Sequence, residues 1–168
     1  MNLLRRKFTL TPFLLAIAGC GFRLRGTADV PFETLHIPEA RTGIGLDLKR
    51  NIEAGTSARV VDDPKAAQAI FQVTQERRGK QILTLGGTGT VREYQLRYTV
   101  TFRVHDGKGG EYVPSNTLLV TREMTFIDAQ ILAKEAEEQL LFRDMQSEAV
   151  QQILRRIGAA QPPKPKVP

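Results

Sequence analysis

The strongest constraint on the fold of this chain is a run of alternating apolar and polar residues near its middle. Six apolar side chains occupy every second position from Tyr94 to Val104, and charged or polar side chains stand between them. This period of two is typical of a β-strand with one buried face. The glycine-rich segment 106–110 favours a tight turn, and Leu118–Phe126 predicts a returning strand. The centre of the chain therefore predicts a half-buried antiparallel hairpin.

Two amphipathic helices are predicted on either side of that hairpin. Ile44, Leu48 and Ile52 recur every four residues, which predicts a helix of about three turns ending near Gly55. A longer helix is predicted over Asp128–Ile157, where apolar residues again recur every four positions. Each helix has one apolar stripe, which must be buried against another element.

Further strands complete the predicted fold. Residues 34–37 predict a short first strand, and residues 69–73 and 81–85 predict either one long strand or two strands joined by the polar residues 75–80. The resulting order is β-α-β-β-β-α. We therefore predict an α+β fold, with a four-stranded, mostly antiparallel sheet and two helices packed on one face.

The N-terminal residues have the features of a cleavable lipoprotein signal. Three basic residues at 5–7 precede an apolar stretch of ten residues, Phe8–Ile17, about half the length that a bilayer-spanning helix needs. The tetrapeptide Ile17-Ala18-Gly19-Cys20 then matches the lipobox pattern of an aliphatic residue, two small residues and cysteine. We predict lipidation at Cys20, which would anchor the mature chain in a membrane. An ordinary secretory signal followed by an incidental cysteine is the alternative.

These features divide the chain into three parts. Residues 1–19 form the predicted signal, residues 20–158 a single domain, and residues 159–168 a disordered tail rich in proline and lysine. Removing the three basic residues of the signal leaves 21 of the 24 basic residues against 18 acidic ones, a net charge of +3. This weak positive charge argues against a nucleic-acid partner.

Few residues are available for catalysis or metal binding. Cys20 is the single cysteine, and His36 and His105 are the only histidines. Residues 86–90 (Gly-Gly-Thr-Gly-Thr) lack the Gly-Lys-Ser/Thr ending of a phosphate-binding P-loop and precede a strand, so they favour a hairpin loop. We expect no catalytic residues, no metal site and no cofactor, and an envelope hydrolase is disfavoured.

The mature chain resembles one known family. It begins with Cys20-Gly21-Phe22-Arg23-Leu24-Arg25-Gly26, which is similar to the start of LptE, the lipopolysaccharide-assembly lipoprotein family also called RlpB. Further similar segments are Glu93-Tyr94-Gln95, then Arg122 and Phe126 followed by Leu132-Ala133-Lys134-Glu135, and Gln152-Ile153-Leu154-Arg155-Arg156. The order of predicted elements also agrees, so the resemblance covers nearly the whole mature chain.

The resemblance implies a specific location and partner. LptE proteins lie at the outer membrane, occupy the lumen of the LptD β-barrel and act with it to insert lipopolysaccharide into the outer leaflet. In Gram-negative lipoproteins, an aspartate directly after the lipidated cysteine resembles an inner-membrane retention signal. This chain has Gly21 at that position instead, so we expect an outer-membrane anchor and a domain on the periplasmic side. A non-enzymatic role with LptD and lipopolysaccharide as partners is implied. The alternative is a generic envelope lipoprotein that binds a small amphiphile or scaffolds another complex.

Basic residues at the end of the domain away from the anchor are implied as lipopolysaccharide ligands. Lys134 matches one such position. The companion arginine of the family falls in the loop before the long strand, where this chain has Gly86-Gly87-Thr88. Arg92 is a nearby substitute, and Arg122, in the strand that leads towards Lys134, is a third candidate.

Overall fold

The structure, a computed structural model, describes residues 29–163. The predicted signal 1–19 and the predicted lipidation site Cys20 lie outside these residues, as do residues 164–168 of the tail. Within the described part of the chain, no helix is both long and apolar enough to span a bilayer.

Five strands and two α-helices follow one another in the described residues in the order β-α-β-β-β-β-α. The strands are β1 (Thr34–His36), β2 (Arg59–Val61), β3 (Ala69–Leu85), β4 (Val91–His105) and β5 (Glu111–Thr125). The helices are α1 (Gly43–Gly55) and α2 (Ile131–Gly158), and single 3₁₀ turns cover Pro64–Ala66 and Asp128–Gln130.

The strands form one sheet in the order β2-β1-β3-β4-β5. The long strands β3, β4 and β5 pair antiparallel, and the short strand β1 pairs parallel with both β2 and β3. The α+β class is confirmed, but the predicted count of four strands is wrong. The missed strand β2 has three residues, Arg59, Val60 and Val61, which is too few to show a period of two.

Both helices pack on one face of this sheet, as predicted. The buried apolar side chains of α1, including Leu48 and Ile52, and those of α2, including Met145 and Ile153, belong to one core with the buried side of β4. This core does not run the whole length of the molecule. The first buried residue of α2 is Phe142, although the helix begins eleven residues earlier.

Strand β3 is a single strand of 17 residues, which decides between the two alternatives left open by the sequence. Its register against β4 shifts at Thr74, and this bulge changes which side chains face the helices. Val73 lies opposite Phe102 and, after the shift, Glu76 lies opposite Val100. Because Phe102 and Val100 are both buried on the helix side, β3 presents apolar residues to the helices before the bulge and charged residues after it.

Strand β5 begins at Glu111, seven residues before the predicted start at Leu118. A register shift separates the Val104–Val113 pair from the Phe102–Asn116 pair, so the irregularity includes Pro114. A proline is tolerated at a bulge in an edge strand because it lacks an N–H group for the ladder. This irregular start explains why the pattern of β5 was recognised only from Leu118 onwards.

The two ends of α2 define two ends of the molecule. A Cβ atom on Gly158 would lie 3.5 Å from the carbonyl oxygen of Asp29, so the start of the described chain lies beside the C-terminus of α2. We call this the terminal end. The distal end comprises the loop 86–90 and the connection 126–131, which leads into the first turn of α2. With 28 residues at about 1.5 Å each, α2 separates the two ends by about 42 Å.

The described part of the tail follows α2 at the terminal end. Ala160 packs against the core, and a Cβ atom on Gly110 would lie 2.7 Å from the side chain of Pro163. The tail therefore contacts the domain as far as Pro163. Disorder remains a prediction for residues 164–168.

Candidate functional site

Lys134 lies near the start of α2, at the distal end. Its ammonium donates hydrogen bonds to Thr125 Oγ1 (3.2 Å) and Glu137 Oε2 (2.8 Å), and only 11% of its side chain is exposed. An ammonium group has three donors, so one N–H remains for a further acceptor. Lys134 is thus a held cation, not a freely moving surface lysine.

Lys80 is a second held cation at the same end, and sequence reasoning missed it. Its Nζ lies 2.5 Å from Glu138 Oε2 and 4.3 Å from the ring centroid of Tyr94. Tyr94 and Phe126 pack edge to face with centroids 5.1 Å apart, so the ammonium has both a carboxylate and an aromatic face as neighbours. The bulge at Thr74 puts Lys80 on the helix side of β3. The sequence of residues 75–80 does not indicate this position, because the run is polar throughout and has no apolar period.

Arg92 lies where β4 begins, and its side chain crosses the loop 86–90. A Cβ atom on Gly86 would lie 2.9 Å from Arg92 Nε, so the absence of a side chain at Gly86 gives the guanidinium its place. The carbonyl oxygen of Arg92 accepts a hydrogen bond from Phe126 N (2.8 Å), which fixes it beside the Tyr94–Phe126 pair. Within residues 29–163, Arg92 takes part in no ion pair.

The loop itself is a hairpin connection, as predicted. Gly86 N donates to Thr90 O (2.7 Å), and Gly89 N donates to Gly86 O (2.9 Å). Gly89 has a φ of 79°, a left-handed conformation that glycine adopts without steric cost. The loop joins β3 to β4, which is the hairpin context and not the strand-to-helix context of a P-loop.

Arg122, the third predicted ligand, is not brought together with Lys134. It lies opposite Leu96 in the β4–β5 ladder, three residues before Thr125 and so about 10 Å from it along the strand. Its guanidinium donates to Glu148 of α2, well below the first turns of that helix. Arg122 therefore links β5 to the middle of α2 and stands outside the distal cluster.

Several large apolar side chains at the distal end are exposed. Six of the eight exposed large apolar residues belong to this end, and we call them the apolar rim: Ile82, Leu83, Leu85, Ile127, Ile131 and Leu132. Leu132 is 78% exposed. Exposed apolar residues are ordinary when they are scattered, but a group at one end of a small domain marks an interaction surface.

Between the distal cations and the core, β3 and α2 are joined by polar contacts. The guanidinium of Arg78 lies 5.9 Å from the ring centroid of Tyr98 and 5.6 Å from that of Phe142, and it donates to Gln146 Oε1 (3.0 Å). The Tyr98 hydroxyl donates to Glu76 Oε1 (2.7 Å). Burial, and then this hydrogen bond, raise the pKa of Tyr98 well above its usual range, so its proton stays in place.

The two histidines have structural partners in the backbone. The Nδ1 atom of His36 lies 3.0 Å from the carbonyl oxygen of Val61, and Nδ1 of His105 accepts a hydrogen bond from Gly107 N (3.0 Å). Burial, and then the neighbouring Arg103, lower the pKa of His105. Among residues 29–163, no three metal-binding side chains come together.

The distal end combines cations with exposed apolar side chains. Such an arrangement can bind an anionic amphiphile.

Comparison with known proteins gives the family. The sequence profile of LptE, described as lipopolysaccharide-assembly, matches residues 28–157, well over half of the chain. The chain is 29% identical over 153 residues to a protein of Yersinia enterocolitica named LPS-assembly lipoprotein LptE, covering 86% of this chain and 70% of that one. A protein of the same name from Pectobacterium atrosepticum is 29% identical over 160 residues, covering 90% and 85%.

A solved structure agrees in fold as well as in sequence. The solution NMR structure of a lipoprotein B from Nitrosomonas europaea superposes with a TM-score of 0.71 at 43% identity, covering 83% of this chain and 91% of the other. The profile match spans the domain from β1 to Ile157, near the end of α2. The alignments with the two named relatives cover 86% and 90% of the chain. The chain therefore belongs to the LptE family of lipopolysaccharide-assembly lipoproteins.

Proposed function

We propose that this protein is an outer-membrane lipoprotein, anchored through Cys20, that plugs and supports a β-barrel of the LptD type and binds lipopolysaccharide at its distal end. The observation that carries the ligand part is the joint presence of cations and the apolar rim at that end. Membership of a lipopolysaccharide-assembly family supports it independently. The proposed role is non-enzymatic.

Lys134 and Arg92 are the primary proposed ligands for the anionic groups of lipopolysaccharide. Arg92 has no ion-pair partner in the described residues. Its planar guanidinium is therefore available to bind a phosphate through two parallel N–H···O hydrogen bonds. Lys134 retains one donor beyond Thr125 and Glu137. We assign Arg122 a weaker contribution, because it would have to leave Glu148 to reach a ligand.

The open face of the sheet supports the barrel part of the proposal. This face is polar along β4, where Arg97, Thr99 and Thr101 point away from the helices, and Thr101 shares a 2.9 Å hydrogen bond with Thr117 of β5. Such a face suits the polar interior of an outer-membrane barrel. The exposed residues of α1 and of residues 142–158 of α2 include no large apolar side chain. No apolar surface there would therefore oppose entry into a water-filled barrel lumen.

The barrel part is tested by affinity capture of the lipidated protein from solubilised outer membranes. We expect one large β-barrel protein to co-purify in equal amount. The Cys20→Ala variant is the control, since it leaves residues 29–163 unchanged and should be absent from the membrane fraction. Recovery of small amphiphiles alone, with no barrel, would favour the generic envelope lipoprotein instead.

The ligand part is tested by lipopolysaccharide binding to Lys134→Asp and Arg92→Asp. Each variant should bind more weakly than the parent protein. Because Lys134 is largely covered, Lys134→Gln serves as a milder companion, and circular dichroism checks the fold. Lys49→Asp, which changes a lysine on α1 away from the distal end, is the matched control. Unchanged binding by all the distal variants would contradict the assignment.

A further inference from the structure

The apolar rim has no internal purpose in the described fold. None of its six residues belongs to the core or to the partly buried set that packs against it. Two of its members lie on the same side as the cations. Ile82 lies opposite Tyr94 in the ladder and shares a face of β3 with Lys80, and Ile131 precedes Lys134 by three residues, which puts both on one side of α2. Ile82, Ile131 and the cations therefore form one amphipathic surface.

The charges at this surface are already balanced in part. Glu138 binds Lys80, and Glu137 binds Lys134. A phosphate that approaches either lysine must compete with a carboxylate, so charge alone would hold an anion weakly at this partly exposed site. Apolar contact has no such competitor, because the rim is in water in the free protein.

Resting on the proposed lipopolysaccharide-binding function, we propose that the apolar rim binds the acyl chains of the ligand. The acyl chains lie against Ile131 and Ile82, while Arg92 and Lys134 bind the phosphates from beside them. Most of the binding free energy then comes from the chains, and the cations set the orientation. The adjacency of cations and apolar groups favours an amphiphile over a purely apolar protein surface as the occupant of the rim.

The discriminating experiment compares lipid A with deacylated lipopolysaccharide, which keeps sugars and phosphates but has no acyl chains. The protein is the full mature chain carrying Cys20→Ala, so that its own anchor supplies no acyl chain. We expect lipid A to bind at least about tenfold more tightly than the deacylated form, the difference that burying one or two large apolar side chains produces. Ile131→Ser, which removes apolar surface without adding a charge, should remove most of this difference and leave binding of the deacylated form unchanged.

A matched control and a direct readout sharpen the test. Leu119 is 49% exposed on β5, away from the rim, and Leu119→Ser should change neither affinity. The chain contains no tryptophan, so Ile131→Trp provides a single tryptophan that can be excited separately from the tyrosines. Its emission should shift to the blue with lipid A and stay unchanged with the deacylated form, whereas Leu119→Trp should not respond.

The possible failures are distinct. If neither lipid A nor deacylated lipopolysaccharide binds, the proposed function itself is wrong. If both bind equally and Ile131→Ser has no effect, lipopolysaccharide binding stands but the acyl-chain site does not exist. If Ile131→Ser instead abolishes only the capture of the barrel, the rim is a protein contact and the inference is overturned.

Discussion

Helix α2 packs against the sheet in two different ways along its length. From Phe142 to Ile157 it contributes six buried residues to the apolar core. From Ile131 to Leu141 no side chain is fully buried, and only Leu141 packs in part against the core. This half is held by the ion pairs of Lys80 with Glu138 and of Lys134 with Glu137. We call residues 131–141 the distal half of α2 and residues 142–157 its terminal half. One continuous helix therefore belongs to a stable domain at one end and to an uncovered surface at the other.

The difference between the halves separates stability from binding. Burial of apolar side chains stabilises the terminal half independently of any ligand. The distal half keeps its apolar side chains exposed, at a cost in solvation that a ligand can relieve. Surfaces that bind are commonly drawn from the less stable part of a fold.

The largest contrast is expected between truncations in the two halves of α2. Ile153→Ala removes a fully buried side chain and should lower the free energy of unfolding by about 2–5 kcal/mol. Leu132→Ala removes one that is 78% exposed and should change it by less than about 0.5 kcal/mol. Urea denaturation measures both. Similar losses for the two variants would mean that the side chains of the distal half are also buried in a core.

A glycine on α1 sharpens the contrast from the terminal side. A Cβ atom on Gly45 would lie 2.2 Å from the carbonyl oxygen of Glu39, so Gly45→Ala forces the helix away from the loop and should cost about 1–3 kcal/mol. Gly55→Ala is the control, since its Cβ atom would meet nothing within 4 Å. Thermal or urea unfolding of the pair tests this. Equal stability of both variants would show that the terminal half is less closely packed than described.

The distal half should respond to salt where the terminal half does not. A double-mutant cycle with Lys80→Ala and Glu138→Ala should give a coupling free energy of up to about 1 kcal/mol at low ionic strength. That coupling should shrink in 1 M salt, where charges are screened over about 3 Å. The stability change caused by Ile153→Ala should be nearly the same at both salt concentrations. A salt-independent coupling would indicate that packing, not charge, joins β3 to this part of α2.

The smallest effect concerns the β4–β5 turn at the terminal end. Hydrogen bonds from the backbone N–H groups of Lys108 and Gly110 lower the pKa of Asp106. Its contribution to stability is therefore present above the unfolded-state pKa of about 4 and is lost as the pH falls through the lowered folded-state value. We expect Asp106→Asn to lower Tm slightly at pH 7 and to reduce the fall of Tm in acid. Identical pH profiles for the two proteins would contradict this.

Sequence patterns predicted the terminal half much better than the distal half. The period-two run of β4 and the four-residue spacing of α2 both reflect burial, and both elements were located correctly. The bulge at Thr74 is a backbone event with no hydrophobic signature, so the exchange of faces along β3 could not be predicted. With it, the position of Lys80 beside Tyr94 was missed. Strand β2 was missed for a simpler reason, because three residues cannot display a period.

The predicted ligands show the same limit. Lys134 and Arg92 were identified by resemblance and by charge, and they do lie at the same end of the molecule. Arg122 was chosen because it lies on the strand that leads towards Lys134. Only the fold reveals that its guanidinium reaches Glu148 instead. Proximity along a strand does not give proximity in a site, since each residue moves the chain by about 3.3 Å.

The central claim is that the uncovered distal half is the part that binds lipopolysaccharide. Amide hydrogen exchange of the purified protein, measured by mass spectrometry with and without lipopolysaccharide, tests it most directly. In the free protein, residues 131–141 should exchange faster than residues 142–157. Lipopolysaccharide should slow exchange at 82–92 and 126–141 and leave α1 unchanged. Slower exchange at α1 with no change at the distal segments would contradict the account.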